Sequence, residues 1–147
     1  MSVFVGSPPP KTMLQVHFEK ILNSSEKSII NTFYRGIEIA LKNKKAVKHA
    51  LTHVLPVNVG FDGKVAEFSL RANDHGGIML DCVLRTDTIE NDGAGEYSIF
   101  AERGFSVGQI KALTEDHTLI KTGLTSAFER CVSLLVNKLH TQVLRKV

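Results

Sequence analysis

Two histidines four residues apart, His49 and His53 in "HALTH", form the short stretch of this chain whose residue types and spacing point most directly to chemistry. On a helix, side chains at i and i+4 share a face, which is how a metalloprotease helix holds zinc. That reaction also needs a glutamate directly after the first histidine, as base on the metal-bound water. Here the position is Ala50, so the hydrolytic reading fails. A structural metal would still need at least a third ligand. No Cys-x-x-Cys and no second histidine pair supplies one, and His17, His75, His117 and His140 are scattered along the chain. Lys44, Lys45 and Lys48 put positive charge beside the pair and oppose a bound cation. The expectation is therefore solvated or capping histidines, with no metal and no cofactor.

Other catalytic arrangements fare no better. Asp81 stands beside Cys82, with Asp87 and Glu90 further on, but strand alternation sends Asp81 and Cys82 to opposite faces. No phosphate loop is present. The glycines of "DHGG" and "DGAG" fall between strand-like runs, where turn chemistry accounts for them. The chain reads as a non-enzyme.

A basic run, "KNKKAVKH", offers Lys42, Lys44, Lys45 and Lys48 to a phosphate backbone, with Phe33 and Tyr34 upstream as stacking residues. Against this, Phe33 belongs to an apolar stripe, and cationic runs near helix ends also complement the helix dipole. Nucleic-acid binding through this face is the second reading, and a carrier of an apolar ligand between sheet and helices, lined by Phe68, Phe100, Phe105 and Phe128, is the third.

The elements that must position these residues follow from periodicity. "VGSPPPK" has polyproline stiffness and no periodic face, so residues 1–11 read as an arm and 12–147 as one domain. Thr12 and Gln15 spell a capping box, opening a short helix with Leu14, Phe18 and Ile21 on one face. "NSSEK" reads as a loop and a new N-cap, starting a helix with Ile29, Phe33, Ile37 and Ala40 in phase. After the lysines, Val47, Ala50, Leu51 and Val54 resume it until Pro56.

From Val57 the period becomes two. Asp62-Gly63 signals a type I′ hairpin, "NDHGG" a second turn and "ENDGAGE" a third, giving a four-stranded antiparallel meander. Ser106 and Gln109 suggest a second capping box, beyond which Leu113, His117, Ile120, Leu124, Ala127, Cys131, Leu134 and Lys138 recur at alternating steps of four and three. A long C-terminal helix follows, with Gly123 as its weak point. The layout is α+β: N-terminal helices, a meander, and a long C-terminal helix on one face of the sheet. It is similar in outline to small envelope lipoprotein domains and secretion-chaperone domains, a likeness of layout that no motif extends to a family.

Charge is unevenly spread. Residues 1–55 carry eight Lys/Arg against three Asp/Glu, residues 56–105 four against nine, and residues 106–147 six against three. Such blocks can pair within the fold or between copies. No apolar run approaches the twenty residues of a spanning helix, and the opening lacks the pattern of a secretory signal, so a soluble chain is expected. Two cysteines, Cys82 and Cys131, are too few for a disulfide framework and favour a reducing compartment. The first reading is a non-enzymatic binding or assembly subunit of a viral or phage particle or a bacterial envelope or secretion machine. It would form a homo-oligomer or join a larger assembly through its arm and C-terminal helix. Its binding residues would be Val3 and Val5 in the arm, and Lys42, Lys44, Lys45 and Lys48 set against Asp81 and Asp87 of an acidic sheet.

Overall fold

Thr12 opens helix α1 (Met13–Lys42) with the capping box its sequence spells. The Thr12 hydroxyl accepts from the Gln15 N–H at 3.2 Å, and the Gln15 side-chain oxygen accepts from the Thr12 N–H at 2.7 Å. The computed structural model describes residues 11–43, 47–61, 63–73, 75–87, 97–113 and 116–145, and within these the side chains of 47–49, 86–87, 97–103, 112 and 140–145 are excepted.

The expected break at "NSSEK" does not occur; α1 runs through it as one helix of 30 residues. The serines that signal a loop are satisfied inside the helix. Ser24 and Ser25 both donate their hydroxyls to the Ile21 carbonyl, at 2.9 and 3.0 Å. Buried Phe18, Leu22, Ile29, Phe33, Ile37 and Ala40 keep a single phase across the polar residues, so core packing on both sides holds the segment helical. Helix α2 (Val47–Thr52) follows, its Leu51 buried. Close packing against α1 depends on Gly36, where a Cβ would come within 2.8 Å of Val54.

Four strands then form one antiparallel sheet in the order β1 (Val57–Phe61), β2 (Lys64–Ala72), β3 (Gly77–Asp87) and β4 (Tyr97–Gln109), the meander expected from the short connections. Phe61 pairs with Lys64, and Gly63 takes φ +73°, as a two-residue hairpin requires. At the next turn the Asn73 side-chain oxygen accepts from the N–H groups of His75 (3.0 Å) and Gly77 (2.8 Å). Asp62 and the third turn, 88–96, lie outside the described residues.

Ser106 and Gln109 do not cap a helix. They belong to β4, where Ser106 pairs with Met79 and Gln109 with Gly77 around a bulge that leaves Val107 unpaired. Two more ladder pairs with β3 outweigh the local cap signal. A single turn, α3 (Ile110–Leu113), leads toward α4 (His117–Arg145). The true N-cap of α4 is Asp116, whose carboxylate accepts from the Thr118 N–H at 2.8 Å.

Helix α4 passes Gly123 unbroken. A Cβ there would collide with the Val107 carbonyl oxygen, so this glycine serves close approach of the helix to the bulged strand. At 29 residues α4 is about 44 Å long. The 13 residues of β4 span about the same length, so α4 and the strand it lies on are matched in length.

The core lies between these helices and one face of the sheet. Ala66, Phe68, Leu70, Ile78, Leu80, Cys82 and Leu84 point inward from β2 and β3, meeting Ile120, Leu124, Ala127, Phe128, Cys131 and Leu135 of α4. The rings of Phe68 and Phe128 pack at 5.2 Å, while Phe18 of α1 contacts Phe61 of β1 at 6.0 Å. Helices α1 and α4 run antiparallel. Gln15 donates to the Val136 carbonyl at 3.2 Å at one end, and the Tyr34 hydroxyl meets His117 Nδ1 at 2.9 Å at the other. This is a single α+β domain whose C-terminal helix packs on the sheet.

Candidate interaction face

Alternation along β2 and β3 that sends one set of side chains into the core turns the other set away from the helices. Val65, Glu67, Ser69 and Arg71 of β2 share this outer face with Met79, Asp81, Val83 and Arg85 of β3. Register sets the rows: Val65 opposite Arg85, Glu67 opposite Val83, Ser69 opposite Asp81 and Arg71 opposite Met79. Each charged residue thus stands opposite a neutral one, and the charges pair along diagonals. Arg71 Nε donates to Asp81 Oδ2 at 2.6 Å, and Arg85 Nη1 donates to Glu67 Oε2 at 2.8 Å. Diagonal neighbours on a sheet are within reach of long side chains.

Both acids are well covered, with side chains only 20% and 21% exposed. A shelf on β4 helps to shield the first pair. Gly104 stands opposite Asp81, and a Cβ there would lie 2.5 Å from Asp81 Oδ1 and 2.9 Å from Arg71 Nη2. Without it the ion pair lies flat over the strand backbone, beside Met79. The four charges cancel, and half-buried Val65, Met79 and Val83 fill the intervals. On β2 and β3 this face alternates apolar and internally paired polar groups, and covering that part of it with polypeptide strands none of the four charges.

Asp81 is the one acidic residue named from sequence whose side chain is described, and it is held by Arg71 of its own sheet. Lys42 is exposed in the last turn of α1, in the helix layer. Lys42 and Asp81 thus lie on opposite sides of the sheet and do not pair with each other. Val3, Val5, Lys44 and Lys45 lie outside the described residues; Lys48 and Asp87 have described backbone only, on α2 and β3. Lys11, at the end of the arm, pairs with Glu19 of α1.

His53 is exposed and the His49 side chain is not among those described. No group of three His, Cys, Asp or Glu is placed to hold a metal ion among the described residues. Phe68 and Phe128, suggested as pocket lining, are buried against each other. Two clefts among the described residues lie on the surface. One, of about 230 Å³, has Glu19, Asn23, Glu129 and Ser133 in its walls; the other, of about 410 Å³, runs along Ser28, Thr32, Arg35 and Glu38 of α1.

Strand alternation puts Glu67, Arg71 and Arg85 on the polar side of their strands, but no pattern in the sequence pairs them with one another or with Gly104. Their signal was available only through register: a turn pairing Ala72 with Ile78 brings Arg71 onto the diagonal of Asp81. No helix among the described residues is long and apolar enough to cross a membrane. Comparison of the chain with family models, with curated proteins and with solved structures finds no match.

Proposed function

We propose that this chain is a non-enzymatic assembly subunit, and that copies associate through the outer face of the sheet. The observation that carries the reading is that the helices pack on one face, while the other presents Val65, Met79 and Val83 between two internally neutralised ion pairs. A second copy is the occupant that the register favours. A half turn about an axis running between β2 and β3 would set Arg71 over Met79, Asp81 over Ser69, Glu67 over Val83 and Arg85 over Val65. Each charge then meets a neutral side chain, and the rows of arginine flank rows of acid in both copies. Such a contact is isologous and closes on itself.

Nine residues of β2 across four strands make a face of roughly 30 by 19 Å. That is below the roughly 800 Å² per partner of a standard interface, so a concentration-dependent dimer is expected. Light scattering over a range of concentrations tests it. The native chain should gain mass as concentration rises, and Val83→Lys should hold it at monomer mass while the far-UV spectrum is unchanged. A native chain that stays monomeric at about 1 mM, where even a weak contact of about 4 kcal/mol would register, overturns the reading.

A further inference from the structure

Met79 stands on the outer face of β3, opposite Arg71 of β2 and Ser106 of β4 in register, with its side chain half-buried. Its terminal methyl reaches over β4 to the ion pair. A Cβ on Gly104 would lie 2.5 Å from Asp81 Oδ1, 2.9 Å from Arg71 Nη2 and 3.2 Å from Met79 Cε, so carboxylate, guanidinium and thioether converge on one spot of the strand. A thioether is neutral and only a weak acceptor, so it leaves the pairing of Arg71 with Asp81 undisturbed. A stronger acceptor at that spot would not.

We propose that Met79 is an oxidation site that controls association through this face, an inference that rests on the reading of the face as the contact between copies. The reaction balances with a hydroperoxide as oxidant. A sulfur lone pair attacks the terminal peroxide oxygen, the O–O bond breaks, and that oxygen stays on sulfur while its proton passes to the leaving alkoxide or hydroxide. Sulfur is oxidised by two electrons, and the peroxide is reduced to an alcohol or water. Methionine sulfoxide reductases reverse the step.

One added oxygen opposes docking in two ways. It is polar and must leave water when a second copy covers the face. It also competes with Asp81 for Arg71, and so unsettles the internal pairing that lets these charges be covered. Association protects the sulfur in return. A covered thioether is out of reach of peroxide, so oxidation acts on the free chain and slows as the chain associates. Met13, 72% exposed in the first turn of α1 and in the helix layer, supplies an internal reference.

A peroxide time course on the full chain tests this. Hydrogen peroxide is added and then removed at intervals; sulfoxide at each methionine is read by peptide mass mapping, association by light scattering and fold by far-UV spectrum. Dimer content should fall in step with sulfoxide at Met79 and not with that at Met13 or Met1. Full conversion of Met79 should weaken association about tenfold or more, and reductases for both sulfoxide epimers should restore it. Raising the protein concentration into the dimer range should slow conversion of Met79 and leave that of Met13 unchanged. A chain that is monomeric before any peroxide is added overturns the contact between copies itself. A chain that associates as well or better with Met79 converted overturns the oxidation switch alone, as does a loss of dimer that tracks Met13 or Met1, or one that comes with a lost far-UV spectrum.

Discussion

Gln15 and Val136 join the two long helices by a buried hydrogen bond, the Gln15 side-chain nitrogen donating to the Val136 carbonyl at 3.2 Å. The oxygen of the same carboxamide accepts from the Thr12 N–H and completes the cap of α1. One side chain, 5% exposed, therefore both begins α1 and fastens it to the far end of α4. Tyr34 and His117 make the matching contact at the other end, 19 residues along each helix.

Replacing Gln15 by alanine removes the donor to α4 and the acceptor for the cap at once. A loss of about 1–3 kcal/mol is expected, read from urea denaturation. Gln15→Glu keeps the acceptor but turns a carboxylate toward a carbonyl, so at neutral pH it should destabilise at least as much. A loss under about 0.5 kcal/mol for both variants would show the contact to be dispensable.

Gly123→Ala should destabilise although alanine is the better helix former by about 1 kcal/mol. Its Cβ would collide with the Val107 carbonyl, and α4 must lift from β4 to clear it. The expected net cost is about 2 kcal/mol or more, with lost packing at Leu124 and Ala127. Gly60→Ala is the control, since its Cβ comes no closer than 4.0 Å to another group, and it should be near neutral.

The Arg71–Asp81 diagonal should show a coupling of about 0.5–1 kcal/mol in a double-mutant cycle with Arg71→Ala and Asp81→Asn. Its arginine is more than half exposed, so 1 M salt should remove much of that coupling. Gly104→Ala should disrupt the pair while leaving both charges in place, because its Cβ takes the space of the Asp81 carboxylate.

Cys131 should make the reduced fold sensitive to alkali. Its folded-state pKa is raised, first by the hydrogen bond with Cys82 and then by burial, so the neutral thiol is the native form. The unfolded chain ionises above about pH 8.5. Stability is thus fully present below that pH and falls above it, by up to about 1.4 kcal/mol per pH unit, as the unfolded state sheds a proton the native state keeps. Denaturant melts at pH 8 and pH 10 measure the slope. Cys131→Ala should flatten it, and an equal slope in that variant would assign the loss to other groups.

Local pattern was enough where nothing distant competed with it. The capping box at Thr12 and Gln15, the hairpin at Gly63, the alternation that parts Asp81 from Cys82 and the stripe from Ile120 to Cys131 each depend on residues a few positions apart, and each is present in the fold. Where a local signal competed with packing at a distance, tertiary structure decided. Ser24 and Ser25 stay helical because core residues on both sides share one phase, Ser106 and Gln109 join a strand because β3 offers partners, and Gly123 carries no break because it answers to a carbonyl of β4. The diagonal ion pairs were likewise outside the reach of pattern. Spacing along the chain says which way a side chain points, but what it touches is set by the register of strands and the placing of a helix far away in sequence.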